Sequence, residues 1–458
     1  MKLKVDAVLD KGFTPLSLVC REMREATREN GQDFIIAIER NSGNTVRYAT
    51  RIYPDGIGKD EENFAFVERL IKSLLWVAGG YKIYIAGSAL VVKRIKEAYS
   101  YGGLRDFDVR FMERVYENKF EVIESAFDTI PETNSVPVSI GRHLDGCRIG
   151  FDAGGSDRKV SAVIDGNTVY SEEVVWFPKI NSDPSYHYEG ILDAMKTAAS
   201  YMPRVDAIGI SSAGVYVENR IMVASLFLKV SDEDFDKKVK NMYIDVAREI
   251  GENIPVEVAN DGDVTALAGA MDLNDDSVLG IAMGTSEAGG YVDPDGNITG
   301  WLNELAFVPV DYSKEAMVDE WSGDYGCGVK YFSQDAVIKL APAAGIELDE
   351  SLSPAEKLKV VQGLMEQGDE RAKKIYETIG AYFGYAIAFY SEFYAIKHVL
   401  IMGRVTSGEG GTIIIDRANE VLSKEFPELR DQIKLHIPDE SSRRVGQSVA
   451  AASLPAIK

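Results

Sequence analysis

The sequence predicts an α/β protein with two lobes around a cleft, and a further α/β segment ahead of them. Strand-like runs broken by a glycine turn, then a helical stretch, then a buried strand, occupy residues 147–214; the same grammar returns from residue 278. At 458 residues the chain is too long for a single core. Hairpins followed by a helix and a further strand suggest a mixed sheet covered by helices.

The first boundary lies near Pro131–Gly141, where IPETNSVPVSIG carries two prolines and no helical period. It gives three segments: an accessory α/β domain over 1–140, one lobe over 141–270 and a second over 271–458. In the first lobe, CRIGFDAGGSDRKVSAVIDGNTVYSEEVVWF reads as three short strands with turns at Gly154-Gly155 and Asp165-Gly166-Asn167. A helix follows around Tyr188–Tyr201, then VDAIGISSAG, a buried strand ending in small residues. In the second lobe, SVLGIAMGTSEAGGYVDPDGNITG is strand, glycine turn, strand, turn. Ser353–Tyr394 is helix-rich, with Ile375, Ile379, Tyr382, Phe383, Ala386, Ile387 and Tyr390 at helical spacing. KHVLIMGRV is a buried strand ending at Gly403.

Residues 1–130 carry a hairpin (DFIIAIER and TVRYATRIY), a helix over Glu61–Val77, the strand KIYIAG and the helix SALVVKRIKEAY. This order echoes residues 147–214, but Glu39-Arg40-Asn41 stands where the later turn has small residues. Two origins stay open, a degenerate half-repeat and an unrelated accessory domain.

A net charge of −22 and a pI near 4.8 set the chain against nucleic-acid backbones and anionic lipid. No apolar run is long enough to span a bilayer, and MKLKVDAVLDKGF lacks the apolar stretch of a secretory signal. Cys20, Cys147 and Cys327 are dispersed, as are His143, His187, His398 and His436, so neither a disulfide framework nor a histidine metal site is expected. Reduced thiols in the cytoplasm are the expectation.

Three motifs carry chemistry. Asp152-Ala153-Gly154-Gly155-Ser156 ends a strand; its glycines let backbone N–H groups approach an anion, and its aspartate can hold hydrated magnesium. An ordinary hairpin turn reads the same way. Gly284-Thr285-Ser286 opens a second glycine turn running to Gly290, with hydroxyls that suit an anion. Asn260-Asp261-Gly262-Asp263 joins the strand PVEVA to the helix VTALAGAM. Its aspartates serve either as helix cap or, at Asp261, as a base for a hydroxyl attacking phosphorus.

The order and spacing of these motifs resemble the ROK family (repressors, open reading frames, kinases), in the sugar-kinase branch of the actin/hexokinase superfamily. The resemblance runs over residues 147–455. It implies an actin-like, ribonuclease-H-like two-lobed ATPase fold. It assigns Asp152, Gly154, Gly155 and Ser156 to a first phosphate loop and Gly284, Thr285 and Ser286 to a second. Ile210–Gly214, with Ser212 and Gly214, is the turn before the sugar pocket. Asn260 and Glu304 bind sugar hydroxyls, Asp261 is the base, and Gly403–Ser407, with Arg404, is the adenosine turn. The implied ligands are ATP, Mg2+ and a sugar, with no nucleic acid or membrane partner, and the implied assembly is a homodimer.

The departures are specific. Ala306-Phe307 stands where many members have Gly-His, and Cys327 is left alone where they have a cysteine cluster, so no zinc site is expected. Val329 occupies the position of a second sugar-binding Glu, and Arg404 that of a glycine. Three functions follow: a sugar kinase, glucokinase-like and using ATP or polyphosphate; a non-catalytic sugar or nucleotide sensor; and an iron–sulfur ATPase of the superfamily, which dispersed cysteines argue against.

Overall fold

The structure, a computed structural model, describes residues 2–134, 140–438 and 440–457. The core of the expected linker, residues 135–139, lies outside the described residues. The chain forms two compact units. One comprises 1–136, 281–289 and 301–437; the other comprises 137–280, 290–300 and 438–458. The segment ahead of the first lobe therefore shares a unit with most of the C-terminal half, and the last residues return to the other unit.

The strands in chain order are β1 Gln32–Glu39, β2 Thr45–Ile52, β3 Lys82–Ala86, β4 Glu121–Glu124, β5 Cys147–Ala153, β6 Asp157–Ile164, β7 Asn167–Val175, β8 Ala207–Ser212, β9 Val215–Val217, β10 Arg220–Val223, β11 Val256–Asn260, β12 Val278–Met283, β13 Glu287–Val292, β14 His398–Met402 and β15 Lys434–His436. They build sheets in the orders β2-β1-β3-β4, β11-β8-β5-β6-β7 and β13-β12-β14-β15, with β9 and β10 a separate hairpin.

In the sheet of residues 147–260, β5 runs parallel to β8, β8 runs parallel to β11, and the β5-β6-β7 meander is antiparallel. Side chains alternate between faces. Ile149, Phe151 and Ala153 enter a core with Ile191 and Met195 of the helix Pro184–Ala199 and with Met242 and Val246 of the helix Met242–Ile250. Gly150 and Gly209, direct register partners, point the other way. A Cβ on Gly150 would lie 1.9 Å from Ser448 O, and one on Gly209 would lie 1.7 Å from Ala451 O. The helix Glu440–Ala452 therefore rests its backbone directly on these two strands, an approach only glycine allows.

The N-terminal sheet has two strands ahead of its helix where residues 147–214 have three, and its pairing differs. β1 is antiparallel to β3, whereas the corresponding β5 and β8 are parallel.

The helix Glu370–Tyr390 is the hub of its unit. From Thr378 to Tyr390 every residue is buried, which explains why its helical period is legible but its polar face is missing. The preceding helix Pro354–Glu366 starts with a capping box between Ser353 and Glu356. N-terminal residues pack on this hub: Phe13 meets Tyr382 edge-on at 4.6 Å, and Tyr382 donates to Asp10 at 2.6 Å.

The helix Asp60–Ala78 buries charge as well as apolar surface. Arg69 forks onto both oxygens of Asp324 at 3.0 Å, and Lys72 and Arg105 reach the same carboxylate at 3.0 and 2.9 Å. Glu68 pairs with Arg69 and Arg105, and Asp108 takes Lys72 and the Trp76 indole. All these groups are buried. Among the described residues no helix is long and apolar enough to cross a membrane.

Candidate active site

The register of the parallel strands brings the first cluster together. Asp152 pairs with Ser211, which pairs with Ala259; one step on, Ala153, Ser212 and Asn260 align. The carboxyl ends of three adjacent parallel strands thus converge, the position where open α/β sheets bind ligands. Ser211 Oγ donates to Asp152 Oδ1 at 2.8 Å. Burial raises the Asp152 carboxyl to about 6; the Ser211 bond opposes this, and the charge of Asp261 adds to it.

Ser212, singled out by the sequence, lies on the opposite face by the two-residue period. Its hydroxyl accepts from Tyr243 at 2.8 Å, and it is fully buried. Ser211 is the serine that faces Asp152. The chain alternation could have identified it once the strand was phased.

Asn260 ends β11 and caps the helix Asp261–Leu273, its Oδ1 accepting from Gly262 N at 2.7 Å. Its Nδ2 donates to Gly214 O at 2.7 Å. The cap is therefore Asn260, which leaves Asp261 as the first helical residue. Asp261 Oδ1 also accepts from Gly262 N, at 3.0 Å. Burial raises the Asp261 carboxyl, opposed by the Gly262 N–H and by the charge of Lys179. Gly154 and Gly155 form the turn between β5 and β6, with Ser156 exposed beside them.

In the other unit, the β12–β13 turn exposes Thr285 and Ser286, and Gly284 N donates to Ser286 O at 3.0 Å. Gly403 has φ +99°, and a Cβ there would lie 2.4 Å from Met283 O, so the ends of β12 and β14 meet backbone to backbone. Arg404 is exposed, and its carbonyl accepts from Gln362 at 2.7 Å.

Glu304 is held by the end of the helix Asp60–Ala78. The last carbonyls of a helix lack partners within it. Here Val77 O accepts from Asn303 N at 2.9 Å, and Trp76 O accepts from Glu304 N at 3.1 Å. Asn303 adopts φ +52° and accepts from Tyr394 at 2.9 Å. Phe307 stacks into an aromatic cluster, 4.3 Å from Trp76 and 5.3 Å from Trp321. Cys327 is buried 3.8 Å from Asp324, and burial pushes its thiol up to about 12. Among the described residues no group of three or more His, Cys, Asp or Glu is placed to hold a metal ion.

Glu287 was not legible as a site residue. It is 4% exposed, and the Tyr390 hydroxyl is the polar group that faces its carboxyl. It lies against Gly328, where a Cβ would come within 2.3 Å of Oε2, and next to Glu304. Burial, then the Glu304 charge, drive its carboxyl well above the usual range. A second carboxyl thus accompanies Glu304 despite Val329.

Residues 148–443, well over half the chain, match the ROK family. The chain belongs to the ROK family. That family includes sugar kinases and transcriptional repressors. Two solved structures share its actin-like α/β fold. A ROK hexokinase from Thermus thermophilus is 18% identical, with TM-score 0.52, covering 67% of this chain and 96% of its own. A ROK transcriptional regulator, described as a homolog of the E. coli MLC protein, is also 18% identical, with TM-score 0.51, covering 68% of this chain and 79% of its own. At such identity the likeness is one of fold. No curated protein matches the sequence. This ROK protein has the two-lobed ATPase fold with an additional N-terminal α/β segment.

Proposed function

We propose that this ROK protein is a carbohydrate kinase that transfers a phosphoryl group from ATP to a sugar hydroxyl. The observation that carries this reading is the convergence of Asp152, Ser211 and Asn260 at the carboxyl ends of three adjacent parallel strands, with Asp261 the next residue in the chain. One carboxylate lies beside a glycine turn suited to phosphate; the other starts a helix.

A sugar hydroxyl is un-ionised at neutral pH, so a carboxylate must take its proton as the oxygen attacks phosphorus. Asp261 fills that role. Burial raises its basicity, while the Gly262 N–H keeps the carboxylate available and oriented. The electron pair of the broken phosphoanhydride bond leaves with ADP. Asn260, tied to Gly214 and Gly262, fixes the strand–helix junction that aims Asp261.

Asp152 suits Mg2+, a cation that keeps most of its waters and takes one or two carboxylates. The metal, when bound, offsets charge on the phosphates. Glu304, with Glu287 behind it, is assigned to sugar hydroxyls; the 284–286 turn and Gly403–Arg404 are assigned to the nucleotide. Polyphosphate is the alternative donor.

The test is a panel of hexoses and N-acetylhexosamines with ATP or polyphosphate. Phosphorylated product from the wild type, lost in Asp261→Asn, supports the reading. A wild type that binds sugar but transfers nothing points to the second reading, a non-catalytic sensor. Val329 and the exposed Arg404 in the adenosine turn favour that alternative.

A further inference from the structure

The stretch after β7 carries no motif, yet it is fastened to the first glycine turn. Trp176 N donates to Ser156 O at 3.1 Å, and the Trp176 indole N–H donates to Gly154 O at 2.8 Å. These two bonds hold the short turn Pro178–Ile180 against Gly154–Ser156. They also set the place of Lys179. A Cβ built on Gly155 would lie 2.9 Å from Lys179 Cε and 3.0 Å from its Nζ, so the ammonium rests over the glycine turn where a side chain would stand.

Lys179 is exposed, and among the described residues it has no hydrogen bond or ion pair. That is unusual in its setting. The chain carries net charge −22, and Lys159, on the strand next to β7, pairs with Asp157 at 3.4 Å. Lys179 instead lies over the turn, close enough for its charge to act on Asp261. An exposed ammonium lying over the turn, in no ion pair, is complementary to an anion arriving from solvent. The glycine turn beside it offers backbone N–H groups to the same anion.

We propose that Lys179 binds the terminal phosphoryl group of the phosphoanhydride donor at the Gly154–Ser156 turn and stabilises its charge during transfer. This rests on the kinase reading and adds a residue to it. As the hydroxyl oxygen bonds to phosphorus, Asp261 takes the hydroxyl proton. The bond between that phosphorus and the bridging oxygen breaks, and its electron pair leaves with the diphosphate. The three equatorial oxygens of the moving group keep their negative charge throughout, and Lys179 supplies the cation facing them. Gly155 matters because any side chain there would displace the ammonium.

The experiment compares wild type, Lys179→Met, Lys179→Arg and Gly155→Ala, all full length. ATP and ADP affinities are measured calorimetrically with Mg2+, alongside kcat and sugar KM. Methionine keeps the stem over Gly155 and removes only the charge. Lys179→Met should lose about tenfold in ATP affinity, with ADP affinity nearly unchanged. Its kcat should fall about 10²-fold at nearly constant sugar KM. Lys179→Arg should recover most of both, and Gly155→Ala should resemble the methionine variant. An unchanged ATP-to-ADP affinity ratio in Lys179→Met overturns the proposal, as does equal loss for both nucleotides. If the wild type transfers nothing, the kinase reading falls, and the affinity ratio still decides whether Lys179 meets a terminal phosphate. If the wild type binds neither nucleotide, both fall.

Discussion

Ser211 and Asp152 are register partners on neighbouring parallel strands, and the serine hydroxyl donates to the carboxylate across 2.8 Å. The bond offsets only part of what burial costs that carboxylate, which stays raised to about 6. Asp152 is thus a charge kept at the expense of stability, as a residue awaiting a cation would be.

The sign of its pH effect follows. Between the ordinary value of 3.8 and about 6, the folded chain holds a proton that the unfolded chain has released. Stability from this group is fully present below the lower value and is lost as pH rises through the upper one. The rise from 3.8 to about 6 corresponds to about 3 kcal/mol. Asp152→Asn, which keeps an oxygen for Ser211, should therefore be more stable than wild type at pH 8 by up to about 3 kcal/mol, with the gap closing near pH 4. Urea unfolding at the two pH values checks this; equal gaps at both would contradict it. Mg2+ affinity should weaken as pH falls below about 6.

Asp261→Asn should fold normally, because Asn260 supplies the cap and asparagine can still accept from Gly262. Its kcat should drop about 10²–10⁴-fold with little change in sugar affinity. Turnover that survives the substitution would remove Asp261 from the mechanism.

Glu304→Gln should weaken sugar binding by roughly tenfold while sparing ATP, since one charge-assisted acceptor is lost. Titration calorimetry with each ligand separates the two. Equal losses would make Glu304 a structural residue.

Asp324→Ala leaves Arg69, Lys72 and Arg105 buried without their shared carboxylate. Breaking such a set costs about 3–5 kcal/mol. Residues 1–136 and 301–437 form one compact unit, so the variant should lose the N-terminal sheet and the Glu304 segment together. A hydrogen-exchange map in which residues 32–124 open while 301–331 stay protected would show that they are independent.

What the sequence disclosed was what depends on short range. Strands near Cys147, Ala207, Val256 and His398 announce themselves by runs of β-branched and small apolar residues, and Asp152 and Asp261 by their place at strand ends. Ser211 required the phase of β8, because Ser211 and Ser212 differ only in which face they take. Lys179 and Glu287 were invisible for another reason. Lys179 acquires meaning from two hydrogen bonds made by Trp176, and Glu287 from Gly328 and Glu304, all set by tertiary packing. The N-terminal hairpin, helix and strand were legible as elements, but the antiparallel pairing of β1 with β3 was not, since strand direction leaves no mark on hydrophobic order.

The paired glycines Gly150 and Gly209 also bear on how the chain is made. The helix they receive, Glu440–Ala452, is synthesised more than two hundred residues after β8. Until it emerges from the ribosome, the face of β5 and β8 that carries Asp152 and Ser211 lacks its cover. Such a distant contact closes late and slowly. The nascent chain must therefore carry an open sheet face, lined by Gly150, Asp152, Gly209 and Ser211, through about half of its translation. Truncations that remove the last helix should be recovered as aggregates rather than as a folded, weakened protein.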